Sequence, residues 1–381
     1  MTKVEMKSKA VLILFLIGLL AASAGCRPNW SFTLEGLNDG KRAVNFTTWH
    51  ANDMFAEEGA LPLEQILYGE GARVLDSLTV RDEDGNVIEY DWAEAANFLQ
   101  LGKNGLLLGG DHQIRPDSIL VVRSEWESLV EGHIYDIAAT AAGALGIPEP
   151  SLSTGEDLGA EPAEAVLLLF LDGFGYFRYQ EALDEGLIPV LEKLDRPLLG
   201  ITTYPPVTAV STASLLTGTE PPRHGVETRG IRTTDSETLF DVAREAGLQV
   251  VAVEGDALAF NLRGADLILS GDRDGNGGTD DNVLANTLSV LAKGMPDLLF
   301  VHFHGIDDQG HEVGPGAASE EDKIREVDAA VGQILEALPA RSLVVIFADH
   351  GMHQVNEEGR RGNHGHLIPR DMLIPIWVFR K

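Results

Sequence analysis

Three stretches of this chain place acids and histidines directly behind strongly apolar runs. In AVLLLFLDGFG (165–175), Asp172 follows seven apolar residues; in DLLFVHFHGIDDQGHEVGPG (297–316), Asp307 and His311 stand four apart; in SLVVIFADHGMH (342–353), Asp349 and His350 are adjacent. Fourteen residues further on, GNHGH sets His364 between two glycines, with His366 close behind. Carboxylates and imidazoles need polar partners, so their position at the end of a buried strand serves chemistry better than packing. One Asp and one His four apart converge on a single cation where the backbone is helical, and Asp308 competes with Asp307 for that part. His302 and His304 alternate within their apolar run and read as structural residues or supports for a ligand. His50 and His112 are isolated and read as structural.

A hydroxyl joins this set. TTYPPVTAVSTASLLTGTEPPRHG (202–225) breaks an extended stretch at Pro205-Pro206 and opens a small-residue helix. Thr208 would then stand near a helix N-terminus, where backbone N–H groups favour phosphate-like anions. Thr202, Thr203, Ser211 and Thr212 are its competitors. An unassisted Thr is a poor nucleophile, and coordination to a metal supplies its alkoxide. Three Asp, three His and one Thr, delivered from five segments, are about the donors that two divalent ions need. Such a pair clamps the attacking and leaving oxygens of a phosphoryl displacement, and mixed N/O ligation suits Zn²⁺ or Mn²⁺.

The elements that must hold these residues are legible. Apolar runs at 165–171, 198–203, 249–254, 298–303, 343–348 and 373–379 read as strands. Helical patterns at 236–247, 282–294 and 320–338 lie between them. The alternation predicts an α/β fold, a mostly parallel sheet sandwiched between helices, over residues 165–381. Residues 27–130, with short β-type segments between turn signals such as EDGN, predict a small β-rich or mixed domain of unreadable role. Residues 131–164 read as a helix and linker.

Composition bounds the rest. With 381 residues, 44% hydrophobic and 23% charged, the chain can bury a sizeable core. A formal net charge of −30 argues against a nucleic-acid-binding surface. Residues 1–25 carry Lys3, Lys7 and Lys9 ahead of the apolar core VLILFLIGLLAA, which is too short for a comfortable membrane span. Cys26, the single cysteine, follows at once. The pattern resembles a bacterial lipoprotein signal in which Cys26 is lipidated, although Ser23 stands where Leu is more usual. It predicts an exported protein of the cell envelope, tied to the membrane by lipid; an ordinary secretory signal is the alternative. Either signal's removal takes the charge from −30 to −32. A lone Cys excludes an internal disulfide.

Residues 165–379 resemble the alkaline phosphatase superfamily, closest to its type I phosphodiesterase/nucleotide pyrophosphatase branch. The order LDGFG, PPVTAVSTASLLTGTEPPRHG, DDQGHEVGP, ADHGM, NHGH follows the family order segment by segment. Matching residue by residue selects Thr208, nine positions before Thr217, and Asp307 over Asp308. The resemblance implies that Asp172, Thr208, Asp349 and His350 bind one metal and Asp307, His311 and His364 the other, with zinc or manganese as the ions. It implies hydrolysis of a small-molecule phosphoester, of phosphodiesterase/pyrophosphatase type, through a phospho-threonine at Thr208. Phosphomonoester or phosphonate hydrolysis by the same residues is the alternative, and a cell-surface binding protein keeping the fold is the non-enzyme alternative. Nucleotide pyrophosphatases carry an Asn three residues after the nucleophile, contacting the phosphoryl group. Ser211 stands there in this chain and can donate one hydrogen bond to the phosphoryl group in place of the Asn, so the resemblance does not imply nucleotide diester specificity. No protein partner is readable.

Two further expectations follow. HIYDIAATAAGALGIPEP (133–150) resembles a helix that usually follows the last core strand in this superfamily. Here it precedes the core, so a permuted arrangement would pack it on the terminal strand. In GDRDGNGGTDDN (271–282), Asp272, Asp274 and Asn276 have the 1-3-5 spacing of a Ca²⁺ loop, but Val283 stands where the closing Glu belongs. The alternative is a solvated turn with Asp280 or Asp281 capping the following helix.

Overall fold

The computed structural model describes residues 30–37, 40–45, 60–109, 112–255, 258–272 and 275–381. The signal segment, Cys26, His50 and Asp274 lie outside them. The chain divides into two compact units, residues 1–71 with 77–122, and residues 72–76 with 123–381.

The first unit is β-rich. A five-stranded sheet runs in the order Gly40–Asn45, Ser31–Leu37, Pro116–Arg123, Leu75–Asp82, Val87–Asp91. A four-stranded sheet joins Ala60–Pro62, Gln100–Gly102, Leu107–Gly109 and His112–Ile114. The EDGN signal is the hairpin turn between residues 82 and 87, where Asp82 Oδ1 accepts the amides of Asp84 and Asn86.

The second unit is built on an eight-stranded sheet, whose strands we label in chain order. They are β1 (Gly132–His133), β2 (Ala165–Leu171), β3 (Leu198–Ile201), β4 (Val250–Val253), β5 (Leu267–Leu269), β6 (Leu298–Phe303), β7 (Ser342–Phe347) and β8 (Leu373–Arg380). Their spatial order is β1-β3-β8-β7-β2-β6-β4-β5. Every pairing is parallel except those of β8, which runs antiparallel between β3 and β7. The mostly parallel sheet expected from the alternation is therefore present. β1 and β5 went unread because two or three residues are too few to show a period.

The principal helices are α1 (Asp136–Leu145), α2 (Tyr176–Asp184), α3 (Thr208–Thr217), α4 (Leu239–Glu245), α5 (Asp280–Leu291), α6 (Gly305–Val313) and α7 (Ala318–Ala337). Helix α4 begins with a capping box, in which Thr238 and Asp241 satisfy each other's backbone amides. Helix α1 packs mainly on β2, β7, α3 and α4 rather than on the terminal strand. It enters the sheet through β1, which pairs with β3.

Val166 through Leu171 are fully buried in β2, at the centre of the sheet. Each such side chain contributes about 1.5–3 kcal/mol on burial. Together they exceed the several kcal/mol that an ion costs when taken out of water. A central strand can therefore carry a carboxylate at its carboxyl end, which is where ligands bind in open α/β sheets.

Candidate active site

Four adjacent strands, β7, β2, β6 and β4, deliver acidic or imidazole side chains at one end of the sheet. Register sets their level: Phe170 pairs with Phe347 on one side and His302 on the other, and Val253 pairs with Val301. Asp172 lies just past β2, Asp349 and His350 just past β7, and Glu254 just past β4. His302 lies within β6, and the chain then turns into α6 with Asp307 and His311 one turn apart. Gly173 makes close assembly feasible. Its φ is +72°, and a Cβ there would stand 3.0 Å from Asp307 Cβ.

The sequence-predicted donors converge. Thr208 heads α3 and its Oγ1 lies 3.5 Å from His350 Nε2. The same nitrogen is 3.5 Å from Asp172 Oδ1 and 3.2 Å from Asp349 Oδ2. On the other side, His311 Nε2 is 3.3 Å from Asp307 Oδ2, and His364 Nε2 is 3.7 Å from Asp307 Oδ1. The rings of His350 and His364 stack at 3.7 Å, joining the two groups. Asp307 rather than Asp308 faces this centre; Asp308 lines a neighbouring cavity.

Each histidine is fixed from outside by a backbone carbonyl. His350 Nδ1 donates to Gly351 O, His311 Nδ1 to Gly362 O, and His364 Nδ1 to Pro206 O. That choice of tautomer leaves all three Nε2 atoms as acceptors pointing inward. Asp371 secures the His364 loop: fully buried, it accepts the amides of Gly365 and His366 and a hydrogen bond from His353 Nδ1.

The electrostatics suit cations. Burial and the neighbouring Asp307 push Asp172 well above the usual carboxylate range, and burial with Asp172 and Asp307 does the same to Asp349. Burial drives His350 down to about 3 and, with His350 beside it, depresses His364 as well. Burial alone would raise Asp307, but His311 and His364 hold it below its usual value. Like charges 4 Å apart repel by about 4 kcal/mol at an effective dielectric of 20, so three ionised carboxylates cannot share this space uncompensated. One oxygen of each (Asp172 Oδ1, Asp307 Oδ1, Asp349 Oδ2) is buried with no hydrogen-bond partner. Orphan carboxylate oxygens facing imidazole nitrogens are the donor set of divalent ions such as Zn²⁺ or Mn²⁺, and these residues fit two of them. The clusters Asp307/His311/His364 and Asp172/Asp307/His350 each bring their donor atoms within 4.8 Å of one another.

Several residues stand elsewhere than expected. Ser211 is fully buried and its hydroxyl lies 3.0 Å from Thr202 Oγ1, so it is engaged inside the fold. Thr203 pairs with Ser214. In the acidic loop, Asp272 accepts the amides of Gly275 and Gly277, and Asn276 Oδ1 accepts that of Gly278. Asp281 bonds Asn276, whereas Asp280 accepts the amides of His304 and Gly305 and so heads α6.

Two residues at the site had no sequence reading. Glu254 carried a usable signal, since it follows the apolar strand VVAV just as Asp172 follows its own. It binds His302 Nδ1 at 3.0 Å and His304 Nε2 at 2.8 Å, and those rings draw it down to about 2 against the effect of burial. Arg229, in an irregular loop, places Nη2 3.3 Å from His364 Nε2, and no periodicity announces it.

The family model for type I phosphodiesterase/nucleotide pyrophosphatase matches residues 166–249 and 268–373. The chain is 35% identical over 85 residues to GPI ethanolamine phosphate transferase 3 of Eremothecium gossypii, covering 22% of this chain and 8% of that protein. It is 28% identical over 101 residues to the catalytic subunit of the Homo sapiens counterpart, covering 26% and 8%. The matched segments span about a tenth of the length of these curated relatives. Among solved structures, phosphonoacetate hydrolase of Sinorhizobium meliloti is similar at a TM-score of 0.41 and 20% identity, covering 51% of this chain and 58% of that one. Murine ectonucleotide pyrophosphatase/phosphodiesterase 5 is similar at a TM-score of 0.42 and 18% identity, covering 51% and 59%.

Proposed function

The chain belongs to the type I phosphodiesterase/nucleotide pyrophosphatase family, and we propose that it is a two-metal phosphoester hydrolase with Thr208 as nucleophile. The observation that carries this reading is the convergence of Thr208 Oγ1, three orphan carboxylate oxygens and three inward imidazole nitrogens on one small volume. Asp172, Thr208, Asp349 and His350 would hold one ion, and Asp307, His311 and His364 the other. Two divalent ions bound there supply Lewis acidity to the Thr208 hydroxyl and to the departing oxygen.

The chain's own residues do the rest. Thr208 heads α3, so its Oγ1 and the opening amides of Thr208 and Ala209 would be available to one anion. Thr208 Oγ1 forms the bond to phosphorus as the bond to the leaving oxygen breaks, and the leaving group takes up the proton that Thr208 gives up. Water then cleaves the phospho-threonine, returning the proton to Thr208 and releasing phosphate or a phosphomonoester. Arg229, close to His364, is placed to meet a non-bridging oxygen. Three carboxylates and the Thr208 alkoxide would balance two divalent ions, and the guanidinium leaves one positive charge. A phosphoryl group with one negative charge, as in a diester, matches that sum, and the second charge of a monoester would lean more heavily on Arg229.

The curated relatives are by name transferases of ethanolamine phosphate. The same displacement becomes transfer where an alcohol replaces water in the second step. Export and a lipid anchor at Cys26 complete the proposal; no helix among the described residues is long and apolar enough to cross a membrane.

The test is a panel of nitrophenyl monoesters, diesters and phosphonates on metal-reconstituted protein, with and without an alcohol acceptor. Turnover that Thr208→Ala abolishes is expected. Unchanged turnover in that variant would sink the mechanism, and an alkyl phosphate product would identify a transferase.

A further inference from the structure

Asp371 lies in the short helix Pro369–Met372, completely buried, and no Lys or Arg pairs with it among the described residues. Its Oδ2 accepts the amides of Gly365 and His366 at 2.9 and 3.0 Å, and its Oδ1 accepts His353 Nδ1 at 2.8 Å. His353 opens the hairpin strand His353–Glu357, whose partner strand Arg360–Asn363 ends directly before His364. The other nitrogen of His353, Nε2, is buried with no hydrogen-bond partner, so the ring's polar contact is to Asp371. The main chain of the same helix reaches the remaining ligands. Asp371 O accepts the amide of Gly351, whose own carbonyl orients His350. Met372 O accepts the amide of Thr202, on the approach to Thr208.

We infer that Asp371 is the positioning residue of the second ion's site, holding the His364 loop in its ligating place before any ion arrives. This role presupposes the two ions proposed above for that centre. Past Asn363 the chain leaves the hairpin and has no strand ladder to fix it. Two charge-assisted bonds from successive amides to one carboxylate take the ladder's place. Pro206 O selects the tautomer of His364, and Asp371 sets where its backbone stands. A carboxylate taken wholly out of water is unfavourable, and an apolar residue would fill the same space at less cost. Its presence there points to the precision of the loop rather than to stability.

The two ion sites depend on Asp371 in different ways. The second relies on its carboxylate. The first relies on its backbone carbonyl, through Gly351 and His350, and any residue supplies that group. A change of side chain should therefore weaken one site and spare the other.

The test measures each site alone, by titrating Zn²⁺ into stripped full-length protein against a chromophoric chelator. An Asp172→Ala background reports the second ion and an Asp307→Ala background the first. Adding Asp371→Ala should weaken the second ion roughly 10- to 100-fold, as loss of an outer partner of a ligating His does. It should move the first by no more than about twofold, as for an independent position. Asp371→Asn should keep the second ion's affinity near that of the unaltered residue, because its amide oxygen accepts the same two N–H groups while its NH₂ faces the other tautomer of His353. Equal losses at both sites, or none at either, overturn the proposal. A loss in Asp371→Asn as large as in Asp371→Ala overturns it too, since charge rather than the amide bonds would then set the affinity. Where Asp371→Ala fails to fold, hydrogen exchange of the wild type decides. The amides of Gly365 and His366 should stay protected after chelation; exchange at open-loop rates in stripped protein overturns the proposal, since the ions would then hold the loop. An inactive wild type whose second ion Asp371→Ala still weakens would sink the proposed function alone.

Discussion

The Nε2 atoms of His311 and His364 stand 3.2 Å apart, each ring having committed its N–H to a carbonyl oxygen on the opposite side. Two lone pairs at that distance repel unless something positive lies between or beside them. Arg229 Nη2, 3.3 Å from His364 Nε2, meets part of that need; the proposed ions would meet the rest, and stability should then depend on them. Chelation is expected to lower the melting temperature and Zn²⁺ or Mn²⁺ to restore it. At a free-ion concentration 100 times the dissociation constant, one site contributes about 2.7 kcal/mol. Differential scanning calorimetry showing no shift between chelated and reloaded protein would contradict two-ion occupancy.

Asp172 and Asp307 should be separable. Asp172→Ala is expected to lose the ion beside Thr208 while His311, His364 and Asp307 keep theirs. Asp307→Ala should do the reverse. Elemental analysis of the two variants, each scored against the wild type, checks this. Loss of every ion from either variant would mean one indivisible centre.

Thr208 and Ser211 lie one helical turn apart and are expected to behave differently. Thr208→Ala should cut turnover by about a thousandfold or more, since among the described residues no other hydroxyl bonds His350. Ser211→Ala should leave turnover within about twofold while costing about 1 kcal/mol of stability through the lost bond to Thr202. A large kinetic defect in Ser211→Ala with unchanged stability would return it to the phosphoryl site.

Arg229→Ala tests charge matching. A hydrogen bond between charged groups is worth about 1.5–3 kcal/mol, so kcat/KM for a monoester should fall about 10- to 100-fold. The loss for a diester carrying one negative charge should be clearly smaller. Equal losses on the two substrates would remove Arg229 from a role in selecting between them.

His224 supplies a pH dependence away from the metal centre. It is buried under α3, with Nε2 bonded to Ser214 Oγ and Nδ1 accepting the Val226 amide, and burial lowers it to about 4. A depressed imidazole is neutral in the folded chain, while the unfolded chain takes up a proton near pH 6.5. Stability from this residue is therefore complete above pH 6.5 and is lost as pH falls toward 4, by about 3 kcal/mol at most. Denaturant unfolding of chelated protein at pH 7.5 and 4.5 should show a larger acid loss in wild type than in His224→Gln. Parallel losses would show that His224 is not the titrating group.

The sheet was legible from its apolar runs, and Asp172, Asp349 and His350 stood out because a polar residue directly behind a long apolar strand is locally anomalous. Thr208 among its neighbouring hydroxyls, and Asp307 against Asp308, were singled out only by the resemblance. Glu254 showed the same anomaly as Asp172, but VVAV is short and the residue has no histidine beside it in sequence. Its partners His302 and His304 lie some fifty residues away, and only the β4–β6 register brings them together. Arg229 depends on the path of an irregular loop, which no period encodes. Ser211 had the right offset from Thr208, yet the rotation of α3 turned its hydroxyl toward Thr202. Asp272 had the spacing of an ion loop, but its carboxylate oxygens are given to the loop's own amides.

The insertion of β8 between β3 and β7 has a consequence for biosynthesis. β3 leads to Thr208 and β7 to Asp349 and His350, so the strand that sets their separation contributes none of the donors itself. A nascent chain that has emerged only as far as residue 370 already contains every donor of the metal centre, but not the spacer between its two halves. Catalytic competence should therefore arise abruptly, once residues 373–380 clear the ribosome. A C-terminal deletion ending before Leu373 should be as inactive as one that removes a ligand.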